Sequence, residues 1–318
     1  SGFLVVINSN KIVNLGIKIM KLRIFLAILP IVIVACGGGS SSSTSTSSDA
    51  PITPTIASFT SWTATTPNVP VAMTGGFSSS IDLVGNITQS DSSGSGTFTR
   101  DASNYFTLIS ATASSDSTSI FSTALGDTMQ WTFDGATTTT LNKAQTIIGT
   151  FTNPTYYAFQ YQTYGAWGPY GNATGSSFAL SDGSPSPVSV IPTVGGIAFI
   201  GASTGYFVDA SKLSYVTNAT MTVILSYDLQ TLSFTTSNSG ILGAPSGIAL
   251  SYANLDLTGT LTYVTGTNYF TGTVTSTNGM SGKINGEFYG PGINELGGTF
   301  ALYGSGVGTM VGGFGGKR

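Results

Sequence analysis

The 318 residues carry only 7% charged side chains, with 10 Lys+Arg against 13 Asp+Glu and no histidine. So sparse and acidic a balance excludes the basic stripes that nucleic-acid binding requires. The missing histidine removes Ser-His-Asp and Cys-His catalysis, histidine metal sites and the usual pH switch.

Residues 1–19 precede Met20 and read as an upstream over-translation. Residues 20–35 read as a lipoprotein signal peptide: Lys21 and Arg23 form a positive n-region, and Ile24 to Ala35 form an apolar run too short for an ordinary transmembrane helix. The run closes on Ile33-Val34-Ala35-Cys36, a lipobox that predicts acylation of Cys36. Cys36 is the only cysteine, so no intrachain disulfide can form and a large core must hold the exported chain. Residues 36–49 continue as a Gly/Ser tether with an r.m.s. reach of roughly 20 Å. From Cys36 onward 6 Lys+Arg face 13 Asp+Glu, a net charge of −7.

Residues 50–190 read as a first, all-β domain. Its candidate strands are Ser80–Ile87, Ser95–Arg100, Tyr105–Ser110, Ser119–Ala124, Met129–Phe133 and Ala144–Phe151, separated by Ser, Thr, Gly, Asn and Asp at short intervals. The tract Thr137-Thr138-Thr139-Thr140 is compatible with a strand but uninformative. Tyr156 to Tyr170 is the most aromatic stretch. Tyr157, Phe159 and Tyr161 share a face and read first as a core strand, followed by a packed turn over Gly165-Ala166-Trp167-Gly168-Pro169. Tyr164, Trp167 and Tyr170, near that turn, read equally as packing and as a ligand surface, since aromatic side chains carry contact area at low entropy cost. The segment Asp182-Gly183-Ser184-Pro185-Ser186-Pro187-Val188 favours an extended connector and marks the boundary.

Residues 191–318 carry eight regular candidate strands: Gly196–Ala202, Thr220–Tyr227, Thr231–Ser237, Leu255–Val264, Tyr269–Ser276, Ser281–Tyr289, Gly298–Tyr303 and Gly308–Phe314. In the sixth, Met280, Gly282, Ile284, Gly286 and Phe288 alternate with Ser281, Lys283, Asn285, Glu287 and Tyr289, a period of two with one buried face. Large and small residues alternate on that face, which suits the filled interior of a small barrel. Short connections predict an eight-stranded antiparallel up-and-down β-barrel, whose closure removes unpaired edges. Phe314 is expected inside with Met310 and Gly312.

The residues of the C-terminal half resemble the β-barrel domain of the transferrin-binding protein B family and its single-lobe relatives among bacterial surface lipoproteins. The resemblance rests on Gly286-Glu287-Phe288-Tyr289-Gly290-Pro291, Glu295-Leu296-Gly297-Gly298-Thr299-Phe300, Gly312-Gly313-Phe314-Gly315-Gly316-Lys317-Arg318 and Phe199-Ile200-Gly201-Ala202-Ser203-Thr204-Gly205. Tyr164-Gly165-Ala166-Trp167 resembles the family's handle domain. The resemblance implies a handle domain beside an eight-stranded barrel, anchorage to the outer membrane of a Gram-negative bacterium, and binding of a protein or iron-related solute without catalysis.

Glu287 and Glu295 are the only glutamates. A glycosidase wants two carboxylates flanking one bond, but Glu287 is expected to pair with Lys283 on an outward face. Glu295 is expected to accept backbone N–H bonds before a strand. The function expected is therefore that of a cell-surface, outer-membrane lipoprotein without a cofactor or metal. Its lipid anchor is at Cys36, and its ligand surface lies on loops that include Tyr164, Trp167 and Tyr170. A structural cell-envelope lipoprotein and an integral outer-membrane barrel are the alternatives.

Overall fold

The computed structural model describes residues 67–113 and 117–318, so the leader, Cys36 and the tether lie outside the described residues. The described chain is built almost wholly from antiparallel strands in two sheets, which belong to one compact unit.

The first sheet contains β1 (Val71–Ile81), β2 (Ile87–Arg100), β3 (Phe106–Ala113), β4 (Ser117–Ser122), β5 (Thr128–Thr132), β6 (Thr137–Leu141), β7 (Ile147–Thr152), β8 (Gln162–Pro169) and β9 (Ser177–Gly183). They lie in the order β4-β3-β2-β1-β9-β8-β7-β6-β5. The sheet curls around an apolar core that includes Phe98, Phe121, Phe151, Trp167 and Leu180. The threonine tract becomes β6, and all four threonines are buried.

Two strand readings are corrected here. Ser80–Ile87 is the end of β1 and a turn rather than a strand. The Asp82 carboxylate accepts hydrogen bonds from the backbone N–H of Val84 (3.0 Å) and Asn86 (2.9 Å), which bends the chain sharply. Gly165–Pro169 is not a turn but the second half of β8, paired with β7 and β9. The bend falls earlier, in the short helix α1 (Pro154–Tyr157), so Tyr157, Phe159 and Tyr161 do not form a strand. Asn153 caps the helix through bonds from Thr155 N and Tyr156 N, and Pro154 occupies the first turn, where its missing N–H costs nothing.

The second sheet contains β10 (Gly196–Asp209), β11 (Ser214–Ser226), β12 (Thr231–Leu242), the two-residue β13 (Leu250–Ser251), β14 (Leu257–Tyr263), β15 (Tyr269–Ser276), β16 (Ser281–Tyr289), β17 (Glu295–Gly304) and β18 (Gly308–Lys317). Strand β18 pairs with β10 and β12 pairs with β11, which closes a barrel of eight strands, with β13 as an appendix on β12. Apolar side chains fill the bore. Met310 and Phe314 both point into it, and Phe314 meets Phe234 edge-to-face with ring centroids 5.0 Å apart. On the outside of β14 and β15 stand Thr258, Thr260, Thr271, Thr273 and Thr275. On these two strands apolar side chains face in and hydroxyls face out, the inverse of a lipid-facing barrel wall.

The two sheets pack face to face, with β1, β7, β8 and β9 against β10, β16, β17 and β18. Apolar contacts join Ile81, Ile148, Ala166 and Ala179 to Tyr206, Ala301 and Val311. The approach is close because β18 is glycine-rich on its outer face. A Cβ on Gly313 would stand 2.7 Å from Tyr164 Cβ and 2.9 Å from the Leu180 carbonyl, closer than side chains normally come. Polar groups pair across the gap: Ser79 with Thr299 (2.7 Å), Thr150 with Thr204 (2.7 Å), and Gln162 Nε2 to the Leu296 carbonyl (2.7 Å).

Candidate functional site

The packing of the first sheet on the barrel decides where each expected site residue falls. Tyr164 and Trp167 are each only 1% exposed. They lie on opposite faces of β8. Tyr164 packs against Gly313 and Gly315 of the barrel, and Trp167 stacks on Phe151 and Phe178 inside the first sheet. Neither presents surface to a ligand, because a strand sealed on both faces has no outward side chain. Tyr170 is half-buried against the cluster between the sheets.

The glutamates also differ from expectation in one case. Glu287 makes no ion pair with Lys283. The inter-sheet contact covers the far half of β16's outer face, which buries Glu287 while leaving Lys283 exposed. Burial pushes the Glu287 carboxyl up to about 8; the nearby Tyr289 hydroxyl lowers it, and repulsion from Asp182 adds to the rise. Asp182, also buried, is pushed up to about 7 by burial despite bonds from backbone N–H groups. Glu295 behaves as expected: its carboxylate accepts from Gln160 N (2.6 Å) and Tyr161 N (3.1 Å), tying the α1–β8 loop to β17. Burial nonetheless raises it to about 7. These carboxylates are interior groups, sealed away from any substrate. Among the described residues no group of three or more Asp, Glu, Cys or His side chains is arranged to hold a metal.

The open surface lies elsewhere. A cleft of about 620 Å³ runs between the β5–β6 hairpin and the barrel loop that follows β12. The hairpin supplies Trp131, Phe133 and Asp134; the barrel supplies Asn238, Leu242 and Ile248. Phe133 and Asp134 both hold positive φ (51° and 56°), a conformation that costs a bulky residue energy. The Phe133 ring lies over Gly240 of β12, where a Cβ would stand 3.1 Å from it, so the hairpin tip is seated on the barrel. Above the tip Trp131, 36% exposed, stacks on Tyr105 with centroids 3.9 Å apart. Ile248, across the cleft, is 87% exposed. Asp134 is the one charged residue lining it. An aromatic pair, an exposed aliphatic and asparagine amides make a contact surface and lack an acid-base pair.

Sequence reading named neither Trp131 nor Ile248. Trp131 sat in a predicted strand, and its exposure follows only from β5 being the last strand of its sheet. Ile248 had one available signal, an apolar residue inside the turn-rich run Gly243-Ala244-Pro245-Ser246-Gly247.

The described residues thus define a β lobe in which an open nine-stranded sheet packs on a closed eight-stranded barrel. No family model and no curated protein matches the chain. Among solved structures the chain is similar to members of the family that its sequence resembles. A point mutant of Transferrin Binding Protein B from Haemophilus parasuis Hp5 matches at 14% identity and a TM-score of 0.44, covering 76% of this chain and 44% of that one. Isotype 1 Transferrin binding protein B from serogroup B Neisseria meningitidis matches at 14% identity and 0.42, covering 76% and 43%. A structure described as a surface lipoprotein matches at 10% identity and 0.40, covering 77% and 98%. The chain spans less than half the length of either transferrin-binding protein.

Proposed function

We propose that this chain is a non-enzymatic binding module, held at the outer membrane of a Gram-negative cell by a lipid on Cys36, that captures a protein at the cleft between the β5–β6 hairpin and the barrel. The observation that carries the reading is the cleft itself: aromatic and aliphatic side chains stand exposed on two elements that a rigid double-sheet scaffold holds in place. Monomer surfaces rarely leave such groups together without a partner. The absence of histidine and the sealing of the glutamates inside the fold support binding over catalysis. Several of the similar structures are named for transferrin or lactoferrin binding. The ligand class proposed here is a protein, with no particular partner specified.

The test is capture from host fluid by cells displaying the full chain, compared with Trp131→Ala and Ile248→Asp. A central aromatic contact is worth about 2 kcal/mol, roughly thirtyfold in affinity. A partner held by the wild type and lost by both variants at unchanged melting temperature supports the cleft. Capture that survives both substitutions, or no capture at all, sinks it. Anchoring has its own test. Metabolic labelling with a fatty-acid analogue is expected to mark the wild type and not Cys36→Ala; equal labelling of the two removes the lipid anchor from this account.

A further inference from the structure

The chain enters the described fold beside the cleft. Its first described residues are Pro67 and Asn68, and Asn68 N donates to the Arg100 carbonyl (2.8 Å) at the end of β2. Arg100 pairs with Phe106, the first residue of β3. Tyr105, the residue before it, carries the ring that stacks on Trp131. The chain preceding Pro67 therefore arrives at the end of the first sheet where the Tyr105–Trp131 pair borders the cleft. Strand β5, which carries Trp131, is the last of its sheet, so among the described residues no strand lies along its outer edge.

Thr53–Thr66, immediately upstream and outside the described residues, runs Thr-Pro-Thr-Ile-Ala-Ser-Phe-Thr-Ser-Trp-Thr-Ala-Thr-Thr. It differs from the Gly/Ser tether before it. It carries Ile56, Phe59 and Trp62, one of the chain's three tryptophans, and no charged residue. A solvated linker has few large apolar groups. The spacing is also specific. Ile56, Phe59 and Trp62 recur every third residue, so they share one side of a polyproline II ribbon, which has three residues per turn. In a β-strand Phe59 would face away from the other two. Pro54 within the segment and Pro67 after it favour such a ribbon. Ribbons of this kind dock in aromatic-lined grooves. The cleft offers the matching face in Trp131, Leu242, Pro245 and Ile248, with Asp134 as its one charge. The 14 residues span roughly 43 Å in that form, ample reach from the junction at Pro67.

We propose that Thr53–Thr66 is a strap that lies in the cleft of its own chain, with Ile56, Phe59 and Trp62 against Trp131, Leu242 and Ile248, and that an arriving protein must displace it. Covalent attachment holds the strap at an effective concentration of millimolar order, so contacts too weak to retain a free peptide suffice. Displacement rests on the cleft being the capture surface; docking of the strap does not. A strap closed about nine-tenths of the time lowers the apparent affinity for the partner about tenfold.

The experiment compares hydroxyl-radical oxidation of the full wild-type chain and of Phe59→Ser/Trp62→Ser, read residue by residue by mass spectrometry with no partner present. Oxidation of Trp131 and Ile248 is expected to be about tenfold slower in the wild type, for a strap closed about nine-tenths of the time. Tyr269 on the barrel wall, 47% exposed, is the unchanged reference. A synthetic peptide of residues 53–66 added to the variant is expected to restore the protection saturably, and the same peptide with both serines is not. Equal oxidation of Trp131 and Ile248 in the two proteins overturns the proposal, as does protection that the peptide fails to restore. Protection centred instead on Ile200 and Ile224, exposed aliphatics of the barrel wall, would place the strap elsewhere and overturn it. Protection lost on dilution of the wild type would put the segment of a second copy in the cleft and overturn it equally. Cells displaying the variant are then expected to capture host protein about tenfold more tightly than the wild type. Equal capture overturns displacement; no capture by either sinks the binding reading while the oxidation result still decides the strap.

Discussion

Phe314→Ala is expected to lower the unfolding free energy by about 3–5 kcal/mol, the usual cost of truncating a fully buried phenylalanine. Phe314 is 0% exposed and sits on the strand that closes the barrel, paired with β10 on one side and β17 on the other. Its neighbours leave little scope for collapse, because Phe234 meets it edge-on and Gly298 stands beside it in the register. The cavity should therefore persist and the cost lie near the top of the range. Chemical denaturation of the variant measures it directly. A midpoint within error of the wild type would place the side chain outside the core and reject the packing described for β18.

The second large effect is a pH dependence that runs opposite to ordinary acid denaturation. Glu287 keeps its proton in the folded chain up to about 8, against an ordinary value of 4.5. Between these values the folded state binds more protons than the unfolded one, so stability falls as pH rises. The contribution is fully present below about 4.5 and lost above about 8. One pKa unit is worth about 1.36 kcal/mol, which sets an upper limit on the order of 4–5 kcal/mol for Glu287. Asp182, raised to about 7, acts in the same direction. The groups beside Glu287 are Asp182 across the seam and Tyr289 on its own strand; the nearest lysine along β16, Lys283, is exposed and does not neutralise it. Glu287→Gln is expected to match the wild type in melting temperature near pH 4 and to exceed it near pH 9. Parallel pH profiles for the two proteins would show that Glu287 titrates normally.

Much of the barrel was legible before the structure. Tyr269–Ser276 and Ser281–Tyr289 match observed strands end to end, because strict alternation with one apolar face leaves a single register that buries it. The same parity placed Met310 and Phe314 inside. The capping signal at Asn153-Pro154 was present as well but was outweighed by the aromatic run that follows it.

The alternating pattern of each barrel strand, its glycine turns and the short hairpin connections are properties of short stretches of chain, and the sequence by itself determined them; closure of the meander, by contrast, pairs β10 with β18 about a hundred residues on. Local pattern distinguishes an apolar side from a polar one. It cannot tell whether the polar side meets water or another sheet. That was decided only when β1, β7, β8 and β9 came to lie on β10, β16, β17 and β18. The contact took Glu287 and Tyr289 out of solvent, sealed Tyr164 against Gly313, and put Trp167 inside the first sheet. It also left Trp131 exposed at an edge, because strand order is set by pairings between residues far apart in the chain. Which aromatics are core and which are surface therefore depends on long-range packing, where burial of apolar area outweighs any preference that a residue's immediate neighbours express.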